Sequence, residues 1–421
     1  MEVREPSANY VASAGRKSTE LGELPGDWQV LRLGDVASVS SGGTPSRAVA
    51  SYWTGNIPWV TTAQVDFCTI REAEQYISAE GLAASAAKLL KPGTLLMALY
   101  GQGKTRGKVA VLGIEATTNQ ACAAISVESG VSANYAFVFL GSRYEAIRKL
   151  SNTGNQENLS GALVKNLLIA VPSEREQSAI TEAVGDADTL IESLEQLLAK
   201  KRQIKQGAMQ QLLTGKRRLP GFASPWSERS LSELGMFLKG SGINKADAQS
   251  GELPCVRYGE LYTQHADIVR SFVSRISRTV ANTATPLRSG DILFAGSGET
   301  KAEIGKCAAF VDAHEAYAGG DIVILRPTGC DSRFLGYYLN TAEIIRQKAS
   351  RGQGDAVVHI GTASLGSIRG RFPPQAEQTA IATLLSDLDT ELEALEAQLA
   401  KARDLKQGMM QALLTGRIRL V

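Results

Sequence analysis

The 421-residue chain is short of cysteine, histidine and long apolar runs, and each shortage removes a class of function. Its five cysteines, Cys68, Cys122, Cys255, Cys307 and Cys330, include no close pair. That spacing excludes a zinc ribbon and fits thiols kept reduced. His265, His314 and His359 are too widely spread to suggest a metal centre. No run of 18 or more uncharged apolar residues occurs, so no membrane span is expected. The opening "MEVREPSANY" lacks the apolar stretch of a signal peptide, and a cytoplasmic location is expected. An excess of charge of one sign is also missing. The net charge is +2, so the average gives no hint of nucleic acid. Methyltransferase motifs of the Asn-Pro-Pro-aromatic or Asp-Pro-Pro-aromatic type, helicase motifs and nuclease carboxylate clusters are absent too, and catalysis by this chain is not expected.

What is present is a repeat. "QSAITEAVGDADTLIESLEQLLAKKRQIKQGAMQQLLTGK" from Gln177 aligns without a gap with the segment that starts at Gln378, at an offset of 201. Of the 40 aligned positions 22 are identical, which chance does not produce. Weaker echoes run through the intervening sequence. Trp28 answers Trp226, "IPWV" at Ile57 answers "LPCV" at Leu253, and "KPGTLLM" at Lys91 answers "RSGDILF" at Arg288. The order is module, helix, module, helix. Within the modules short β-branched runs alternate with turn residues and a few helical stretches, which makes the class α+β.

The repeat decides what to make of "ALYGQGKT" at residues 98–105, a relaxed match to a phosphate loop. The paired stretch, "FAGSGETKAEIGK" from Phe294, keeps the glycines and loses Gly-Lys-Thr. After Thr105 the chain reads "RGKVAVLG", a strand pattern, where a phosphate loop opens a helix. A polar loop on a β-rich module is the better reading, and a nucleotide triphosphatase is disfavoured.

Both repeated segments carry a 3-4 apolar spacing: Val184, Ala187, Ile191, Leu194 and Leu198 in the first, Leu385, Leu388, Leu392, Leu395 and Leu399 in the second. So narrow a seam belongs to a coiled coil, not to the broad face of a core helix. Gly215 and Gly416 mark the ends. Gly207 and Gly408 lie inside the pattern and mark a close helix approach or a bend. Charge along each segment is polarised. Residues 174–195 hold seven acids against Arg175, whereas 200–218 hold seven basic residues and no acid. The second copy has six acids in 377–396, then five basic residues against Asp404 in 401–419. Acid-first order suits any helix dipole. It also favours antiparallel pairing, because parallel alignment sets acid beside acid. Such a pair carries a pseudo-two-fold axis and puts the two modules at opposite ends, a shape suited to a bipartite target. A coiled-coil scaffold with protein-binding heads, or another two-headed DNA-binding protein, would share it.

The layout, the stretches "SGGTPSR" and "YWTGNIPWV", the "IGK" after a glycine loop and the helix ending in "LLTG" resemble the specificity subunit of type I restriction–modification systems. The resemblance runs from about Leu24 to the end. It implies two target-recognition domains, double-stranded DNA with an asymmetric target and a fixed-length spacer, and two helices that dock two methyltransferase subunits. Restriction and translocase subunits would join through the complex. It implies no cofactor on this chain, with S-adenosylmethionine, ATP and Mg expected on the partners. The segments read as a tail (1–23), a first recognition domain (24–173), a first helix (174–216), a second recognition domain (217–374) and a second helix (375–421).

DNA contacts are expected on polar, glycine-rich loops, because phosphates attract Lys and Arg, and base edges take side-chain hydrogen bonds. In the first module these are Thr44, Ser46 and Arg47, then Thr61 and Thr62. Tyr100, Gln102, Lys104, Thr105 and Arg106 follow, with Asn155 and Gln156 on a later loop. In the second module Lys239, Asn244 and Lys245 come first, then Arg257 and Tyr258. Ser297, Lys301, Arg351 and Gln353 complete the set. Trp53, Trp59 and Trp226 are read as module core.

Overall fold

The computed structural model describes residues 15–101, 104–128, 130–150, 158–249, 251–354 and 357–420. The chain forms two compact units. One is built from Met1–Leu194 with Gln398–Val421, the other from Glu195–Ala397. Each long helix gives part of its length to each unit.

In the first unit a five-stranded sheet runs in the order Ala37–Ser41, Cys122–Val127, Leu95–Ala98, Val109–Leu112, Thr69–Ile70. All neighbours are antiparallel except the last pair. Strand side chains alternate between faces. Leu95, Met97, Val109 and Val111 therefore enter a core with Trp28, Tyr135 and Phe139. Leu96, Ala98, Ala110 and Leu112 enter a second core with Val60 and Val65. With both faces covered, each strand needs a continuous apolar run, which is why these segments show no polar alternation. The helix Ala133–Ser142, capped by the Ser132 hydroxyl, covers the first face. A three-stranded sheet, Thr117–Thr118, Ile57–Val60, Gln75–Ile77, lies toward the second.

The other unit repeats this plan. Its sheet runs Gly235–Lys239, Ile322–Pro327, Ile292–Ala295, Cys307–Phe310, Ile268–Val269. Ile292 and Phe294 face one core, Leu293 and Ala295 the other.

Residues 16–23 depart from the expected tail. Arg16–Thr19 pairs with Gly22–Pro25 as a hairpin. Arg16 donates to the carbonyls of Gly416 and Thr415, each at 3.2 Å. The hairpin has no apolar alternation to announce it, because it is held by these carbonyls and by Lys17 donating to Gly26.

The long helices, α1 (Glu174–Leu212) and α2 (Gln375–Leu413), have 39 residues each, or about 58 Å at 1.5 Å per residue. Of the seam, Val184, Leu198, Leu385, Leu395 and Leu399 are buried, and Ala187, Ile191, Leu194, Leu388 and Leu392 are half-buried. Within each unit the two helices run antiparallel. In the first unit Asp188 pairs with Lys406, which lies near the end of α2. In the second, Lys201 pairs with Glu391 at 2.6 Å, Lys205 with Asp389, and Arg202 with Glu396 at 2.6 Å. A Cβ added at Gly207 or Gly408 would meet nothing within 4 Å, so neither glycine marks a close helix approach.

Each helix start is clasped in the same way. In the first unit Glu176, with no exposed surface, accepts from Trp28 Nε1 at 3.1 Å and from Arg419. In the second, Glu377 accepts from Trp226 Nε1 at 3.3 Å and from Arg218. The next residue ties in the module. Gln177 accepts from Ser132 N and Gln378 from Asp331 N.

Candidate nucleic-acid interface

In the first module the candidate loops are drawn together by backbone bonds around residues 118–121. Gly43 N donates to Thr118 O, Asn119 N to Val60 O, and Leu99 N to Ala121 O, at 2.8, 3.1 and 2.8 Å. Leu159 N then donates to Leu99 O at 2.9 Å. The segments that leave Gly43, Val60 and Leu99 are those of Thr44–Arg47, Thr61–Thr62 and Tyr100–Arg106. Thr44 Oγ1 donates to Gln120 Oε1, which ties the first of them to the 118–121 turn by a side chain as well. Thr61 caps a short helical turn by accepting from Ala63 N, and Tyr100 is 41% exposed. Ser46 and Lys104 are exposed, and Thr62 and Thr105 half-buried.

Arg47 is the most constrained of these side chains. Its guanidinium carbon lies 3.5 Å from the ring centre of Trp53 and 5.1 Å from that of Trp59. Trp53 meets Trp59 edge-on at 4.9 Å. Trp53 Nε1 donates to Ser46 O and Trp59 Nε1 to Gly43 O. Arg47 Nη2 donates to Gln75 Oε1 at 2.7 Å. Trp59 is core, as expected, but Trp53 is half-exposed and serves as a platform. The result is an exposed cation with a fixed orientation, able to meet a phosphate or a base edge.

The second module repeats the convergence around residues 318–321. Ser241 N donates to Ala318 O at 3.3 Å, Gly319 N to Val256 O at 2.9 Å, Gly296 N to Asp321 O at 2.6 Å and Ile360 N to Gly296 O at 2.9 Å. Lys239, Asn244, Lys245, Lys301 and Gln353 are exposed, and Tyr258 is 37% exposed. Arg257 is half-buried. Arg351 is drawn back, with Nε on Ser367 Oγ and Nη1 on Gln347 O, both at 2.9 Å. Among the described residues of its candidate loops no arginine lies over a ring; the module's Arg218 stands 5.7 Å from the ring centre of Trp226, at the helix-start clasp. Cys255 holds the strand position of Trp59, and burial pushes its thiol up to about 12, leaving an inert filler.

Two expected contacts are corrected. Arg106 is only 7% exposed and donates to Arg148 O at 3.2 Å. Ser297 is 4% exposed, with Oγ bonded to His359 Nδ1 at 2.9 Å. Both are spent inside the module, Arg106 on the helix Tyr144–Lys149 and Ser297 on the strand Val358–His359. Gln102, Asn155 and Gln156 lie outside the described residues. After Lys104–Gly107 the chain turns directly into the strand Val109–Leu112, so no helix follows the "GKT". Gln75 and Gln120 were missed by the sequence reading. They stand alone in sequence, and only strand pairing and the turn at Asn119 bring them to the loops. Among the described residues no cluster of three or more His, Cys, Asp or Glu could hold a metal, and no helix is long and apolar enough to cross a membrane.

The family described as "Type I restriction modification DNA specificity domain" matches residues 25–205 and again 223–402. The MjaIX specificity subunit of Methanocaldococcus jannaschii is 29% identical over 182 residues, 42% of this chain and 41% of that protein. The chain thus matches about two-fifths of that relative's length. The MjaVIII specificity subunit of the same organism is 21% identical and aligns over 94% of both chains. Among solved structures, the type I restriction–modification S subunit from M. genitalium superposes with a TM-score of 0.58 at 15% identity. It covers 92% of this chain and 96% of that one, a likeness of fold.

Proposed function

The chain belongs to the type I restriction–modification DNA specificity family, and from that premise we propose that it is the non-catalytic subunit that reads a bipartite, asymmetric DNA target. The observation that carries this reading is the double convergence of polar loops, around residues 118–121 and again around 318–321. Each module presents a basic, hydrogen-bonding surface on a rigid sheet, and the two surfaces differ in side chains, so the half-sites differ. The paired long helices separate the two half-sites by an unread spacer of fixed length. Two methyltransferase subunits dock along the helices, where Leu190, Leu197, Ile204 and Leu405 remain 41–67% exposed outside the seam. S-adenosylmethionine, ATP and Mg belong to the partners, as does coupling to restriction and translocase subunits. The complex works in the cytoplasm.

The test is modular specificity. Residues 27–172 are replaced by the matching module of a relative, and the methylated motif is read by sequencing the host methylome. One half of the motif should change while the other half and the spacer stay. A change in both halves together sinks the two-headed reading.

A further inference from the structure

Lys348 is a lysine that core packing does not explain. It sits in the helix Ala342–Arg351 with no exposed surface, and burial lowers its pKa from the usual lysine value. Its Nζ donates to Gly305 O at 2.7 Å and stands 5.9 Å from the ring centre of Phe294. Among the described residues no carboxylate lies within ion-pair distance of it. A methionine would fill the same space without the cost of burying an ammonium. What the lysine adds is a donor aimed at one carbonyl.

That carbonyl belongs to the end of a candidate DNA-facing loop. Gly305 has φ 70°, a left-handed conformation that reverses the chain from the loop Ser297–Ile304 into the strand Cys307–Phe310. Lys348 therefore fixes the pivot of the loop. The same helix leads into the next loop, where Gln353 and His359 exchange backbone bonds and Val358–His359 pairs with Ser297–Gly298. One ammonium thus holds two candidate reading segments in register.

The first module solves the same problem in reverse. Gly107, at φ 84°, stands where Gly305 does. Here the cation comes from the loop: Arg106 donates to Arg148 O, in the last turn of the helix Tyr144–Lys149. At Gly107 a Cβ would come within 3.3 Å of Arg148 Cγ and 3.4 Å of Ile147 Cγ2. At Gly305 it would come within 3.0 Å of Lys348 Cδ. The buried Ile304 precedes Gly305 where Arg106 precedes Gly107. The cation has changed sides and the tie has survived, which argues that the tie matters and the residue position does not.

We infer that Lys348 and Arg106 are positioning residues, one buried cation per module, each fixing the loop that reads its own half-site. The inference rests on the DNA-reading function proposed above. Its test compares the full chain with Lys348→Met, Lys348→Arg and Arg106→Met. Host methylomes should show modification falling about tenfold at sites whose bases in one half of the motif are no longer held to specification. Lys348→Met should act on one half, Arg106→Met on the other, and Lys348→Arg, which keeps a donor, should stay near wild type. Amide exchange on the purified chain gives a readout independent of methylation. In Lys348→Met residues 299–305 should lose protection while Ile292–Ala295 keeps it. Unchanged exchange in that loop, or equal loss in both half-sites from either variant, overturns the inference. If Lys348→Met does not fold, Arg106→Met and Lys348→Arg decide the matter by the same criteria. A wild-type host with no bipartite motif would instead overturn the function proposed above, leaving the exchange result to judge the loop tie.

Discussion

The two helix-start clasps use the same residues but differ in where the chain supplies them. In the second unit Arg218 comes from the segment that follows α1, a few residues before Trp226, and its guanidinium also reaches Ser224 O. In the first unit Arg419 comes from the far end of the chain to meet Glu176 and also Asp27. The Arg218–Glu377 pair spans 159 positions, whereas Arg419 lies 243 positions from Glu176 and 392 from Asp27. Arg419 is 10% exposed at its side chain against 25% for Arg218, and it serves two carboxylates. It holds the Asp27 carboxyl below its usual pKa, so this part of the stability is present above the unfolded carboxylate pKa and lost as pH falls through the folded one. The repeat conserves the chemistry of the joint, while the burden on each joint depends on chain connectivity.

The largest effect should come from breaking the more distant clasp. Arg419→Met leaves the fully buried Glu176 without its cation, and removing one partner of a buried pair costs about 3–5 kcal/mol. Arg218→Met should cost less, because Arg218 is more exposed. Denaturant unfolding of the full chain checks the order. Equal losses would mean that connectivity and burial do not distinguish the joints.

A second comparison lies along the helices. Lys205–Asp389 and Lys406–Asp188 are the same pair shifted by 201 residues. Asp389 is 14% exposed and also takes Arg270 at 3.0 Å and the Tyr337 hydroxyl at 2.6 Å. Asp188 is 46% exposed at its side chain. Asp389→Asn should cost about 1.5–3 kcal/mol, the range for hydrogen bonds to charged groups. Asp188→Asn should cost about 0.2–1 kcal/mol and lose even that in high salt. Thermal melts at low and high salt separate the two, and a larger loss from Asp188→Asn would reverse the comparison.

How much of this was legible depended on whether the signal was local. The seams of α1 and α2, their direction within each unit and the presence of short strands follow from spacing and charge order, which are properties of short windows. "KVAVLG" after Thr105 was enough to expect a strand. The hairpin Arg16–Pro25 was not legible, because its partners lie at Thr415 and Gly416. Arg106 and Ser297 read as loop residues by composition, yet both point inward. Lys348 gave no signal, since a lysine in an amphipathic helix looks solvated until the strand packed against it is known. Gln75 is visible as a support for Arg47 only once the strand Gln75–Ile77 is paired beside Trp59.

The smallest effect sharpens the difference between the two reading surfaces. Arg47 is stacked on Trp53 and tethered by Gln75, whereas the exposed Lys245 of the second module has no ring beside it among the described residues. A long side chain normally loses rotamer freedom when it binds, at a cost of about 0.5–1.5 kcal/mol. Arg47 has lost much of that freedom before DNA arrives. Arg47→Ala should therefore weaken binding to the target duplex by about tenfold, roughly 1.4 kcal/mol. Lys245→Ala should cost only a few-fold. If Arg47 meets a phosphate, the slope of log affinity against log salt should become shallower by about 0.9. Arg47→Lys should then restore the slope but not the full affinity, because an ammonium does not stack as a planar guanidinium does. Binding titrations at several salt concentrations give both quantities. An unchanged slope with discrimination lost at a single base pair would assign Arg47 to a base edge instead, and equal losses at Arg47 and Lys245 would show that the tryptophan platform contributes nothing to binding.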